Sequence, residues 1–381
     1  MIRLQGGFWA VVWGVLLGVS SGCNQGGPSA DEIPVGMVAP LTGAVAEWGE
    51  AMRNGAIMAI EEINAEGGVL GKPLRLFVEN NNSIPTESSK LYESLVNDRK
   101  VVTVIGEIQS KATMNMGPLA SRNQVPLLTP GSTSDELTRP EYDWVYRVCF
   151  KDSFQGDVIA KFAVQQLGAK RVAIIYNQQD DYSTGLAQNA RRVVKELGAE
   201  VIEDVAYSTG DTDFKAILNR VARADVQAVL ATGYYREMGT MIRQARQVGI
   251  TVPFVGGDGW SASQFLEIGG EALNGCFYSD HFVHDTQEPN ARRFVDGYRE
   301  KFKVLPNSMA PLGYDAVYVL KAAIEKAQST DPAKIREALA KVEITGVTGK
   351  LKMGPDRSMI KPAVMVRIED GKIFYHATVD P

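Results

Sequence analysis

Histidine and cysteine are scarce in this chain: three of each among 381 residues, with no C-x-x-C pair. That is too few soft ligands, at the wrong spacing, for a zinc site of the usual kind. Metal-dependent hydrolysis is set aside, and no cofactor is expected. Glycine-rich phosphate loops are also missing. The first strand-like run leads into APLTGAVAEWG (39–49) without a G-x-G-x-x-G turn, and the α/β blocks hold neither a G-x-S-x-G elbow nor a P-loop. Charge of one sign is not in excess. Forty Lys and Arg against 45 Asp and Glu give a net charge of -5, and without a basic face a nucleic-acid partner is not expected.

Long apolar runs are confined to the start. Arg3 precedes an apolar stretch from Phe8 to Val19, of signal-peptide length and short for a membrane span. Ser20, Ser21 and Gly22 then lead to Cys23. The expectation is a lipoprotein signal over residues 1–22, lipidation of Cys23 and a flexible tether over 23–32. Ser20 departs from the Leu usual in such signals, and ordinary cleavage near Cys23 is the alternative. Of the remaining cysteines, Cys149 and Cys276, export permits a disulfide; two buried free thiols are the other reading.

From residue 33 the chain alternates between short apolar runs and helical patterns. IPVGMVAP (33–40) precedes a helix near Ala46–Ala65, where Met52, Ala56, Ala59, Ile60 and Ile63 recur at helical spacing. LRLFVEN (74–80), VVTVIGE (101–107) and VPLLTP (125–130) follow, with helices between. A second block runs through RVAIIYN (171–177), VIEDVAY (201–207), AVLATGY (228–234) and PFVGGDG (253–259). Nearly all-apolar strands separated by helices describe parallel sheets covered on both faces. The fold class is α/β, with two Rossmann-like lobes, and the tail reads as a terminal antiparallel β piece.

In open parallel sheets, ligands sit at the carboxyl ends of strands. There Ser110 stands before a helix, where its hydroxyl can cap the helix or hold a carboxylate. Gly131, Ser132 and Thr133 form a small polar loop after the fourth strand, open to the same two readings. Asp258 lies among glycines after PFVGG; it is a turn residue or the partner of an ammonium group. Trp48, Tyr182 and Tyr234 occupy strand ends, where they either wall an apolar ligand group or pack between lobes. Together these residues suit a zwitterion with an apolar side chain.

The run IPVGMVAPLTGAVAEWGEAMRNGAIMAIEEINAEGGVLGKPLRL resembles the opening of the leucine/isoleucine/valine-binding proteins of ABC transporters. The resemblance continues through VIGEIQSKAT, VPLLTPGSTSDELT, YRVCFKDSFQG, ATGYYREMGTMIRQARQVG and PFVGGDGW, and covers residues 33–381 in order. It implies a type I periplasmic-binding fold with three hinge crossings, near Lys151, Phe282 and Gly346–Gly349. Lobe 1 would comprise 33–151 plus 283–347, and lobe 2 would comprise 152–282 plus 348–381. It also implies roles: Ser110 and Thr133 on the ligand carboxylate, Gly131 and Thr133 on the ammonium, and Asp258 where the family usually has Glu. Trp48, Tyr182, Tyr234 and Met309 would form the pocket wall. The implied activity is capture of a small amino acid by lobe closure and delivery to an ABC permease, by a monomeric, membrane-anchored protein that performs no chemistry. A sensor of the same fold, or a binder of urea, an amide or a carboxylate, is the alternative.

Overall fold

The computed structural model describes residues 31–381; the signal, Cys23 and most of the tether expected from the sequence lie outside the described residues. The first sheet contains β1 (Ile33–Ala39), β2 (Leu74–Asn80), β3 (Val104–Ile105), β4 (Leu127–Thr129) and β5 (Val145–Arg147). Between them run α1 (Ala46–Ala65), α2 (Ser88–Asn97) and α3 (Ser110–Asn123). Every ladder in this sheet is parallel, and the order is β2-β1-β3-β4-β5. β1 is apolar on both faces because helices cover both: Val35, Met37 and Ala39 face one cluster of side chains and Val38 another.

α4 (Asp152–Lys161) opens the second block. It continues through β6 (Arg171–Asn177), α5 (Asp181–Glu196), β7 (Glu200–Tyr207), α6 (Lys215–Arg223), β8 (Ala228–Thr232), α7 (Tyr235–Gln247), β9 (Phe254–Gly256), α8 (Ser263–Gly269) and β10 (Phe277–Asp280). The chain then returns to the first lobe with α9 (Pro289–Phe302), α10 (Met309–Ala327) and α11 (Pro332–Leu339). There α10 packs along α1, and α11 packs against α10. A small antiparallel sheet follows: β11 (Glu343–Gly346), β12 (Gly349–Met353) and β13 (Met359–Ile360). β14 (Ala363–Glu369) and β15 (Lys372–Val379) close the chain.

The second sheet has the order β15-β14-β10-β9-β8-β6-β7. It is mixed rather than purely parallel, because β14 runs antiparallel to both β10 and β15. Asp370 and Gly371, both with positive φ, make the tight turn that sends β15 back along β14. This pair is the terminal antiparallel piece read from the tail.

The third passage between lobes differs from the expected place. Gly346 and Gly349 face each other across the β11–β12 hairpin, so they close a turn within one small sheet. That sheet stays with the first lobe: Ser358 bridges to Arg147 of β5, and the Arg357 guanidinium donates to the carbonyls of Thr138, Arg139 and Val145. The chain enters the second sheet at 361–363, where Lys361 and Pro362 precede β14. Cys149 and Cys276 are buried free thiols with separate surroundings. The Cys149 thiol lies 3.2 Å from the Ser132 carbonyl, and Cys276 lies 3.7 Å from the Arg246 guanidinium. Burial pushes the two thiols up, to about 12 and about 11 respectively.

Candidate functional site

Both sheets reverse their strand order at the same place: between β1 and β3 in the first, and between β6 and β8 in the second. Such reversals splay the loops at the carboxyl ends apart and leave a crevice. The two crevices face each other. Trp48 follows β1, Ser110 follows β3, and Gly131 and Thr133 follow β4. From the other lobe, Tyr182 follows β6, Tyr234 follows β8, and Asp258 and Gly259 follow β9. With Ile108 and Met309 they line one narrow cavity between the lobes.

On the first lobe the polar groups converge at the start of α3. Ser110 is its first residue, and the N–H groups of a helix's first turn lack helical acceptors. The Ser110 hydroxyl accepts from the Ser134 N–H at 3.2 Å, which keeps a proton for another acceptor. The loop carrying Thr133 is propped from below by a fully buried guanidinium. Arg147 of β5 donates to the Thr133 carbonyl at 2.6 Å and to the Thr138 hydroxyl at 3.2 Å.

Ser132 stands apart from the other sequence-predicted residues. It is buried beneath the loop, where its hydroxyl donates to the Glu107 carbonyl at 2.9 Å and meets the Thr113 hydroxyl at 2.7 Å. It does not line the cavity. The same carbonyl also accepts from the Thr129 hydroxyl at 2.5 Å, so it serves as the knot of the loop. The Glu107 carboxyl lies in this layer too, accepting from the Asn81 amide at 2.9 Å and from the Gln109 N–H. Burial raises its pKa to about 7 against these hydrogen bonds.

On the second lobe the centre is Asp258, which is 3% exposed. One carboxylate oxygen accepts from the Gln155 side-chain amide at 2.9 Å, and the other meets His281 Nε2 at 3.1 Å. Burial drives the His281 pKa down to about 4, partly opposed by its hydrogen bond to Asp258. The ring is therefore neutral near pH 7. A carboxylate only accepts, so Nε2 carries the proton and donates it. Gln155 and His281 are thus uncharged partners of Asp258, and among the described residues no lysine or arginine pairs with it. Its carboxyl group is held between uncharged donors at the wall of the cavity.

The glycines around Asp258 follow from close packing. A Cβ at Gly259 would lie 2.5 Å from the Gly233 carbonyl and 3.0 Å from the Tyr182 hydroxyl. The Gly259 N–H donates to that same hydroxyl at 3.0 Å, so this approach fixes the turn that aims Asp258. Tyr182 and Tyr234 stack with centroids 5.5 Å apart, and Trp48 meets Tyr234 edge-on at 5.2 Å. The polar ends of Tyr234 and Trp48 point elsewhere: Tyr234 donates to Asp180 at 3.1 Å, and the Trp48 indole donates to the Ser261 carbonyl at 2.8 Å. The rings thus leave apolar faces as wall, completed by Ile108 and Met309.

Sequence reasoning missed Ile108 and Gly259 in the lining, and Gln155 and His281 behind Asp258. Gln155 lies 103 positions from Asp258, and no local pattern marks such a partner. His281 offered a weak signal, as one of only three histidines and the residue that follows the strand Phe277–Asp280.

Two α/β lobes that enclose a small polar-ended cavity between their strand ends define a two-lobed solute-binding protein. The chain belongs to the periplasmic binding protein family, whose sequence profile matches residues 32–372. It is 32% identical to the leucine-, isoleucine-, valine-, threonine- and alanine-binding protein of Pseudomonas aeruginosa, over 85% of this chain and 86% of that one. Among solved structures, a leucine-binding protein from Thermotoga maritima superposes with a TM-score of 0.87 at 35% identity, covering 92% of this chain and 99% of the other. The branched-chain amino acid transporter substrate-binding protein of Streptococcus pneumoniae, solved with isoleucine, gives 0.87 at 32%, covering 92% and 100%. The type I periplasmic-binding fold and the leucine/isoleucine/valine-binding relationship implied by the sequence are both met.

Proposed function

We propose that this protein captures an aliphatic α-amino acid outside the cytoplasm and hands it unchanged to an ABC permease, as a monomer tethered through Cys23. The observation that carries the ligand reading is the placement of Asp258: a buried acid on the cavity wall whose neighbouring donors, Gln155 and His281, bring it no positive charge. An ammonium group is the cation that suits such an acid in a small cavity. The opposite pole is supplied by the Ser110 hydroxyl, the first N–H groups of α3 and the Thr133 hydroxyl, which suit a carboxylate. The Gly131 carbonyl adds an acceptor for the ammonium. Trp48, Ile108, Tyr182, Tyr234 and Met309 suit an aliphatic side chain, whose full burial contributes roughly 1.5–3 kcal/mol.

The ligand's two charged ends are gripped from different lobes, so the grip is complete only when the lobes meet. Closure expels water, and in that drier site each charge-assisted contact strengthens. Nothing in the reading asks for bond-breaking chemistry. The names of the relatives support an amino acid as cargo and a transporter as destination. Among the described residues no helix is long and apolar enough to cross a membrane, and tethering rests on the lipoprotein-like leader.

The test is a thermal-shift and calorimetry screen against leucine, isoleucine, valine, alanine, urea, short amides and benzoate. Ligand at about a hundredfold excess over Kd stabilises the fold by about 2.7 kcal/mol. Aliphatic amino acids are expected to raise the melting temperature and to be recovered unaltered. A rise only with ligands that lack an ammonium group would overturn the assignment of Asp258.

A further inference from the structure

The rim of the cleft carries hydrogen bonds that join the two lobes outside the ligand cavity. One carboxylate, Asp135, accepts from the Ser153 N–H and hydroxyl beside the hinge; a second group of contacts surrounds one residue farther along. Glu47, on the first turn of α1, reaches across to the second lobe. Its two carboxylate oxygens accept from the N–H groups of Ser263 at 2.5 Å and Gln264 at 3.1 Å, at the start of α8. Its neighbour Trp48 donates its indole N–H to the Ser261 carbonyl at 2.8 Å. Close by, the Tyr235 hydroxyl donates to the Ala44 carbonyl at 3.0 Å, and the Ser308 hydroxyl meets that of Ser261 at 3.0 Å. Residues 44–48 and 308 belong to the first lobe; 235 and 261–264 belong to the second.

Two consecutive residues thus divide the labour. Trp48 turns its ring into the cavity, whereas Glu47 is half-buried on the rim and is absent from the lining. Within this second group only Glu47 brings a charged group, and its contact is bidentate. Charge-assisted hydrogen bonds are the strong ones. The two N–H groups it accepts from have no intrahelical acceptor of their own, so opening the lobes leaves them to water.

We propose that Glu47 is the clasp of the closed form: a positioning residue that sets affinity through the open–closed balance without reading the ligand. The proposal rests on the capture-by-closure reading above. When only the closed form binds tightly, apparent Kd equals the intrinsic Kd divided by the closed fraction. Loosening the clasp then weakens every ligand by the same factor. Most of the loss falls on dissociation, because the clasp forms after the ligand has entered.

Calorimetry and stopped-flow dissociation with leucine and alanine as probes test this on the full chain, in the wild type, Glu47→Gln, Ser263→Pro and the double variant. Proline at Ser263 deletes one of the accepted N–H groups. It is tolerated there because it falls on the first residue of α8 and Ala262 before it is already extended (φ −151°, ψ 147°). Each single variant is expected to weaken leucine about tenfold, chiefly through faster release. The leucine-to-alanine ratio should stay constant, and the double variant should lose less than the two single losses combined. A changed ratio would mean that Glu47 reads the ligand, and full additivity would mean that the two positions act separately; either overturns the clasp, as does unchanged release. Amide exchange at 261–265 in ligand-free protein gives a second readout, expected to be faster in Glu47→Gln. If neither probe binds the wild type, the ligand reading fails, while the exchange rates still decide the clasp: equal rates reject it.

Discussion

Asp258 Oδ2 and His281 Nε2 lie 3.1 Å apart, both side chains are buried, and the imidazole is the neutral member of the pair. The contact orients a carboxylate without neutralising it. An arginine or lysine in place of His281 would cancel the charge that the ligand is meant to meet. Gln155 on the other oxygen follows the same logic, with an uncharged donor reaching from α4.

Replacement of Asp258 by asparagine keeps the shape and one acceptor but removes the charge. Leucine affinity is expected to fall at least about tenfold, because an ammonium is then buried without its counter-charge. The loss should be smaller for a ligand that carries a carboxylate and no amine. Isothermal calorimetry with leucine and 4-methylpentanoate separates the two. Equal losses would show that Asp258 supports the loop and does not meet the ligand.

Buried titratable groups give the fold a characteristic pH profile. The His281 pKa falls to about 4 from its ordinary 6.5, chiefly through burial. Between those values the unfolded chain binds a proton that the folded chain refuses, so stability drops as pH falls. The contribution of His281 is therefore full above about 6.5 and lost towards 4. Glu107 and Asp280 act in the opposite sense. Burial raises both to about 7, so their contribution is full at acid pH and lost as pH rises through 7. His281→Gln retains an amide donor near Asp258 and has no titration of its own. It should remove the slope that opposes Glu107 and Asp280, so that stability gains more than in the wild type as pH falls from 6.5 to 4. Melting temperatures across that range check this, and the same slope in the variant as in the wild type would remove His281 as a contributor.

Elements whose burial is uniform along the chain were legible in the sequence. β6 reads as a strand over Arg171–Asn177 because its run is apolar throughout, and α1 reads as a helix over Ala46–Ala65 because its buried side chains recur at helical spacing. Where pairing depends on distant groups, the sequence is silent. VVTVIGE looks like a full strand, yet only Val104 and Ile105 pair with both neighbours, and at its end the Glu107 carbonyl is taken by three hydroxyls of the loop layer. Gly346–Gly349, expected as a hinge crossing, is instead the turn of a hairpin; what holds that hairpin on the first lobe is Arg357, more than two hundred positions from the carbonyls it grips. Ser132 and Thr133 are equivalent by composition. A loop has no period to tell which one faces the cavity, and only the Glu107 carbonyl beneath it decides.

Ligand choice should be set where Gly131 meets Met309. A Cβ at Gly131 would lie 2.9 Å from the Met309 sulfur and 3.2 Å from Ile108 Cγ2. The thioether is flexible, so Gly131→Ala is expected to fold, with Met309 displaced into the cavity. The room lost is that available to a branched side chain, and one methylene in an apolar pocket is worth about 1–3 kcal/mol. Leucine should therefore lose about tenfold relative to alanine, while the charged poles stay in place. Met309→Ala widens the same wall and should move the ratio the other way, towards larger side chains. Competition calorimetry with leucine, alanine and phenylalanine reads both shifts. An unchanged ratio in both variants would place the ligand's side chain against another wall, the stacked pair Tyr182 and Tyr234 being next in line.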